Sequence, residues 1–240
     1  MEKRILTIMI VLSLSTLFII PAQSIQNNNI SMYDPLKIIP GDLRDNELPS
    51  RPIIPMSPQD PITSSQVERD SLIVNLLSQL DEDIYLGFLE DLVAFGPRVT
   101  DTEACEDASN YIYDQFLNMG LDTSYHYWDR GGLNGANVVA TIPGTNETSD
   151  DIYIICAHYD SVPGSPGADD DGSGTVGVLS AAYLMKNFEF NHTVKFITFS
   201  GEEQGLYGSY AYVNDAVNKG LDIAGVINLD LIGNVTEKES

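Results

Sequence analysis

Basic residues are scarce in this sequence, at 12 Lys and Arg against 35 Asp and Glu, and the formal charge is −23. Neutralising phosphates takes clustered Lys and Arg. No such cluster occurs, which excludes nucleic acid and anionic membrane surfaces as partners. Cysteine is scarcer still. Cys105 and Cys156 are the only two, and two thiols define no disulfide framework. Cys156 falls in the apolar run Ile152 to Ala157 and reads as a small buried residue. Long apolar runs are limited to one, Ile5 to Ile20, behind the basic pair Lys3-Arg4. At about 1.5 Å per residue such a helix reaches roughly 24 Å, short of a ~30 Å hydrocarbon core. Pro21-Ala22-Gln23-Ser24 then supplies the small residues of a cleavage site. Residues 1–24 therefore read as a cleaved export signal, with a secreted or cell-surface product and no stable membrane span afterwards.

Proline is unevenly spread, with seven of the 12 lying between Pro35 and Pro61 among Asn, Ser and Asp. Such a stretch cannot sustain a helix and has no apolar period with which to pack. Residues 25–62 read as a linker or pro-segment, and residues 63–240 as one folded domain. Ser65-Gln66-Val67-Glu68 fits a capping box. Helices are predicted over Asp83–Phe95, stopped by Gly96-Pro97, and over Glu103–Met119, closed by Gly120. Tyr125–Trp128 and Asn137–Ile142 read as strands around a turn from Gly131 to Gly135. Strands and helices then alternate: strand Ile152–Ala157, helix Ser173–Asn187, strand Val194–Phe199, helix Leu206–Asn218, strand Ile223–Leu229. These strands are apolar without alternation, as when helices cover both sheet faces. The expected fold is α/β, a three-layer sandwich around a mostly parallel, mixed sheet.

In such sheets chemistry collects beyond the carboxyl ends of the strands. Three successive strands here run into residues of metal-ligand type: His158-Tyr159-Asp160, Glu202-Glu203 and Asp230. Between the first two, Asp169-Asp170-Asp171-Gly172-Ser173-Gly174 leads into a helix. Each feature alone has a plainer reading. A His after a strand is usually a hydrogen-bonded structural residue, a Glu pair a solvated face, an Asp run a helix cap, and an Asp after a strand a turn former. Together they place many carboxylates on one rim, where they repel each other unless divalent cations sit among them. Imidazole nitrogen with carboxylate oxygen suits zinc.

Four ordered motifs carry a resemblance: His158-Tyr159-Asp160-Ser161; Pro166 through Gly174; Gly201-Glu202-Glu203-Gln204-Gly205-Leu206-Tyr207-Gly208-Ser209; and Asn228-Leu229-Asp230-Leu231-Ile232-Gly233. Over roughly residues 70–234 the sequence resembles the secreted co-catalytic zinc aminopeptidases, relatives of glutamate carboxypeptidase and glutaminyl cyclase. Looser similarity lies at Phe95-Gly96-Pro97-Arg98 and Asn137-Val138-Val139-Ala140. The resemblance implies a zinc-dependent exopeptidase that hydrolyses N-terminal peptide bonds of short peptides. Asp170 would bridge two zinc ions. His158 and Asp230 would complete one set of protein ligands, and Glu203 would serve the other ion. Glu202 would act as general base, and Asp160 would orient His158.

The family pattern also includes a later His ligand for the second zinc, beyond the Asp230 motif. Neither His126, in an early aromatic strand, nor His192, at a strand entrance remote from the rim, suits that place. The expectation is a catalytic domain incomplete at its C-terminus, with an open sheet edge, one well-held zinc, a second held poorly, and weak or no hydrolysis. Two alternatives remain beside the peptidase: a glutaminyl cyclase-like single-zinc acyltransferase, and a non-catalytic binding domain of the same fold. Nothing in the sequence bears on oligomeric state.

Overall fold

The computed structural model describes residue 71 and residues 73–233. The predicted export signal and the proline-rich segment lie outside the described residues. The helix expected after Ser65 is described only from residue 71 onward. Residues 75–233 belong to one compact unit.

Helix α1 covers Glu82–Ala94 and α2 covers Glu103–Asn118. Both begin as their sequences require. The Asp81 carboxylate accepts the Asp83 N–H, and the Thr102 hydroxyl accepts the Cys105 N–H, with acidic residues filling each first turn. Strands β1, Asp122–Arg130, and β2, Leu133–Ile142, form an antiparallel hairpin. Its turn is only Gly131-Gly132, both at positive φ (64° and 81°), the geometry a two-residue turn between twisted strands demands. The five-residue turn expected from the sequence is therefore too long. Asn134 and Gly135 belong to β2, where Gly135 leaves room for Trp128 and Ser200.

Strand β3, Asp151–His158, leads through a loop and a tight turn at Ala168–Ser173 to α3, Gly174–Met185. Strand β4, Thr193–Phe199, α4, Tyr207–Lys219, and β5, Asp222–Asn228, complete the described elements. The sheet order is β1-β2-β4-β3-β5. β4, β3 and β5 run parallel, whereas β2 is antiparallel to both β1 and β4. The carboxyl ends of β3, β4 and β5, the start of β2 and the end of β1 consequently share one rim.

The period of two sorts side chains to two cores. Val138, Ala140, Ile142, Ala157, Val194 and Phe196 face α1, α2 and α3, joining Leu92, Ile112, Phe116, Val176 and Leu179. Val139, Ile152, Ile154, Cys156 and Ile197 face the other way, onto Tyr212 of α4. This double burial explains the unbroken apolar strands and gives the predicted three layers. Each fully buried large side chain contributes about 1.5–3 kcal/mol relative to exposure. Both cysteines are free and buried, Cys156 as expected. β5 forms one sheet edge among the described residues, with Val226 exposed on it. No helix among the described residues is long and apolar enough to cross a membrane.

Candidate metal centre

The rim gathers the residues that the sequence singled out. His158 ends β3, and its Nε2 lies 3.2 Å from Asp170 Oδ1 and 3.9 Å from Glu202 Oε2. One donor atom each from His158, Asp170 and Asp230 lie within 4.8 Å of one another. Glu203 stands outside this trio. Its backbone N–H is held by Asp160, and burial followed by the charge of Asp170 raises the pKa of its carboxyl. His126 and His192 do not join the group. His126 meets Asn137 and Asp215, and His192 meets Asp151 at the far end of β3.

The centre is sealed below and open above. The side chains of His158 and Asp160 are 6% and 0% exposed, whereas that of Asp170 is 54% exposed. On the sealed side, Asp160 Oδ1 lies 3.4 Å from His158 Nδ1. That nitrogen is buried and forms no hydrogen bond of proper geometry, so the contact is an ion-pair distance. Asp160 is otherwise fully committed: it accepts the N–H of Glu202 (3.2 Å), the N–H of Glu203 (3.2 Å) and the Thr100 hydroxyl (3.1 Å). Thr100 in turn accepts the Gly201 N–H. The loops after β3 and β4 are thus pinned to one buried carboxylate.

The three consecutive aspartates divide the work. Asp169 accepts the Ser173 hydroxyl and the Gly233 N–H, tying the helix start to the segment after Asp230. Asp170 turns toward His158, and the Asp170–Asp171 peptide bond is cis. Asp171 is fully buried and accepts N–H groups from His158, Gly174 and Leu231 at 3.2, 2.9 and 3.4 Å. Burial pushes its carboxyl up to about 8, against the lowering effect of His158. Gly174 is required here, because a Cβ would meet the Asp171 carboxylate and the Leu229 carbonyl.

Electrostatics mark the same place. Burial alone would lower the His158 pKa. The Asp160 contact and the charges of Asp171, Asp160 and Glu202 outweigh it and raise the imidazole to about 9. Burial raises the carboxyls of Glu202 and Asp230, and neighbouring carboxylates add to it. Groups displaced in this way want a cation among them. A cation on Nε2 also keeps the proton on Nδ1, facing Asp160. One imidazole and several carboxylates converging from three loops fit zinc.

Sequence reading missed Arg98, which lies fully buried beneath the centre. Its guanidinium donates to the carbonyls of Tyr159 (2.6 Å), Gly167 (3.0 Å) and Pro166, clamping the loop between His158 and Asp170. Charges of Asp160 and Asp171 act on it in turn. The Gly96-Pro97-Arg98 similarity was the only signal for it. Nothing in its spacing announces a buried cation.

A mixed three-layer α/β sheet bearing an imidazole–carboxylate centre on its carboxyl rim defines the fold class of the metal-dependent exopeptidases. Residues 137–240 match Peptidase family M28. Aminopeptidase YwaD of Bacillus subtilis (strain 168) is 42% identical over 105 residues, covering 43% of this chain and 23% of that protein. Leucine aminopeptidase 1 of Leptosphaeria maculans is 31% identical over 193 residues, 71% of this chain and 48% of that one. Among solved structures, LapB from Legionella pneumophila superimposes with a TM-score of 0.61 at 27% identity, over 68% of this chain and 46% of that one. The chain spans about half the length, or less, of the curated relatives it matches.

Proposed function

We propose that this protein is a zinc-dependent aminopeptidase, hydrolysing N-terminal peptide bonds of short extracellular peptides. The observation that carries the reading is the convergence of His158, Asp170 and Asp230 within 4.8 Å, with Glu202 beside them yet outside the trio. The names of the relatives support peptide hydrolysis over the acyltransferase alternative.

His158, Asp170 and Asp230 would hold one zinc ion. Asp170 and Glu203 are the described donors for a second. Bound zinc supplies Lewis acidity and makes water a ready nucleophile near neutral pH. The chain's own residues do the rest. Glu202 takes a proton from the attacking water and returns it to the leaving amine. Its raised pKa suits both halves of that task. Asp160 holds Glu202 by its backbone and His158 by its ring, so base and ligand share one mounting. The open side at Asp170 admits substrate, and the carboxylate field there attracts a peptide's amino group. Export belongs to the same reading, supported by Lys3-Arg4, the apolar run to Ile20 and the small residues after it.

Zinc counting on the purified chain tests the metal assignment: one tight ion is expected, with a second bound much more weakly. Turnover by this chain is expected to be weak, and Glu202→Gln should keep that zinc and abolish whatever turnover of leucine anilide the unaltered chain shows. Undiminished turnover in Glu202→Gln would remove the general-base role, and no bound zinc would remove the enzyme reading.

A further inference from the structure

A carboxylate-lined rim attracts the amino end of a free peptide and repels its carboxyl end. Some cation near the rim must offset that repulsion if short free peptides are to lie along it. Five basic residues occur among the described ones: Arg98, Arg130, Lys186, Lys195 and Lys219. Topology sorts them. Lys186 caps the end of α3, Lys195 lies early in β4, and Lys219 ends α4. All three belong to the far end of the sheet. Arg98 is buried and engaged with three carbonyls. Arg130, half-buried, is the last residue of β1 and stands at the site-bearing rim.

Among the described residues its setting is that of a cation held by aromatic rings and not by a carboxylate. The guanidinium carbon lies 4.1 Å from the Tyr210 ring centroid and 5.5 Å from that of Tyr207. Among the described residues no carboxylate pairs with it, although the chain is strongly acidic. Stacking engages the faces of the guanidinium and leaves its in-plane N–H fork available for a bidentate partner. The platform is fixed to the centre. The Tyr207 N–H donates to the Gly201 carbonyl (2.8 Å) and the Leu206 N–H to the Glu202 carbonyl (2.9 Å), so one turn carries both Glu202 and the aromatic support. Tyr207 also packs edge-on against Trp128. The hairpin tip closes over Tyr207 so tightly that a Cβ on Gly131 would lie 3.1 Å from the tyrosine hydroxyl.

We propose that Arg130, stacked on Tyr207 and Tyr210, forms a carboxylate subsite that receives the acidic end of a short peptide whose amino end lies at the metal centre. This rests on the peptidase reading above. The subsite selects for a carboxylate on the leaving-group side, either the C-terminal carboxylate or an acidic side chain.

The test is calorimetric binding to the zinc-loaded chain carrying Glu202→Gln, so that bound peptide is not consumed. Three probes separate the sources: Leu-Ala-Ala as free acid, Leu-Ala-Ala amide, and Leu-Asp-Ala amide. The free acid should bind about five- to tenfold tighter than the plain amide. A similar gain for the Asp peptide identifies side-chain recognition as well. Adding Arg130→Gln should erase these differences and leave the plain amide's affinity unchanged, and Arg130→Lys should restore part of them. Equal affinity for acid and amide, a Gln variant that weakens all three alike, or no peptide binding to zinc-loaded protein would overturn the subsite. Discrimination between acid and amide that persists unchanged when the peptide's amino end is acetylated would uphold the subsite and remove the aminopeptidase reading instead.

Discussion

Asp160 accepts the backbone N–H of Glu202 at 3.2 Å, and the same carboxylate oxygen stands 3.4 Å from the Nδ1 of His158. A ligand from one strand and the proposed base from the next are therefore positioned by a single buried group. Replacing Asp160 by Ala leaves two backbone N–H groups and the Thr100 hydroxyl without their acceptor. The expected cost is about 3 kcal/mol of stability and a 10- to 100-fold loss of zinc affinity. Urea unfolding and competition with a chelator measure the two separately. Asp160→Asn, which keeps one acceptor oxygen, should fall between. A variant with native zinc affinity would show that the two loops hold themselves.

Arg98→Met tests the clamp beneath the centre. The apolar replacement fits the length of the side chain but leaves the carbonyls of Tyr159, Pro166 and Gly167 unpaired. Asp160 and Asp171 also lose a compensating charge. A loss of about 3–5 kcal/mol in urea unfolding is expected, together with weaker zinc binding. Arg98→Lys should recover only part, because an ammonium cannot reproduce the fork.

In the metal-free protein the His158 pKa of about 9 lies above the ordinary imidazole value of about 6.5. A folded-state pKa raised in this way contributes its full stabilisation below about pH 6.5. The contribution fades as pH rises through about 9. Asp171, pushed up to about 8, acts in the same sense, because the unfolded carboxyl has released its proton well before the folded one does. The chelated chain should thus lose thermal stability between about pH 6 and 9. Zinc requires the neutral imidazole, so its uptake expels a proton and its affinity climbs across that window. Melting curves with chelator and with zinc check both slopes. A metal-free Tm that climbs with pH would contradict the assignment.

Two glycines offer opposite outcomes from one chemical change. A Cβ at Gly174 would collide with the Asp171 carboxylate and come within 2.6 Å of the Leu229 carbonyl. Gly174→Ala should destabilise by about 3 kcal/mol and weaken zinc binding. Gly87, inside α1, has nothing within 4 Å of the corresponding position. Gly87→Ala should stabilise by about 0.5–1 kcal/mol through helix propensity alone. Thermal melts of both variants decide.

Most of the fold was legible because its signals are local. Asp81 and Thr102 cap helices, Gly96 and Gly120 stop them, and the apolar strands fall within a residue or two of expectation. The hairpin was misjudged because five residues with three glycines look like one long turn. Twist needs only Gly131 and Gly132, and Gly135 serves close packing instead. At the site, His158, Asp170 and Asp230 stood out because each follows a strand or opens a helix, and the structure brings them together. Arg98 and the buried role of Asp171 did not stand out. Their work lies in hydrogen bonds to segments distant in sequence, and no spacing rule encodes those. Arg130 escaped notice for a different reason: its meaning comes from where the other cations are not.

The trio at the rim draws one donor from the end of β3 and another from just past β5, the strand that lies directly against it. An ion held there acts as a clasp across the whole intervening chain, α3, β4 and α4 included. Such a clasp can close only after the last described strand has docked. Metal retention thereby reports that β5 has docked against β3, and stripping the ion should loosen β5 and its neighbouring loop before any other part of the sheet.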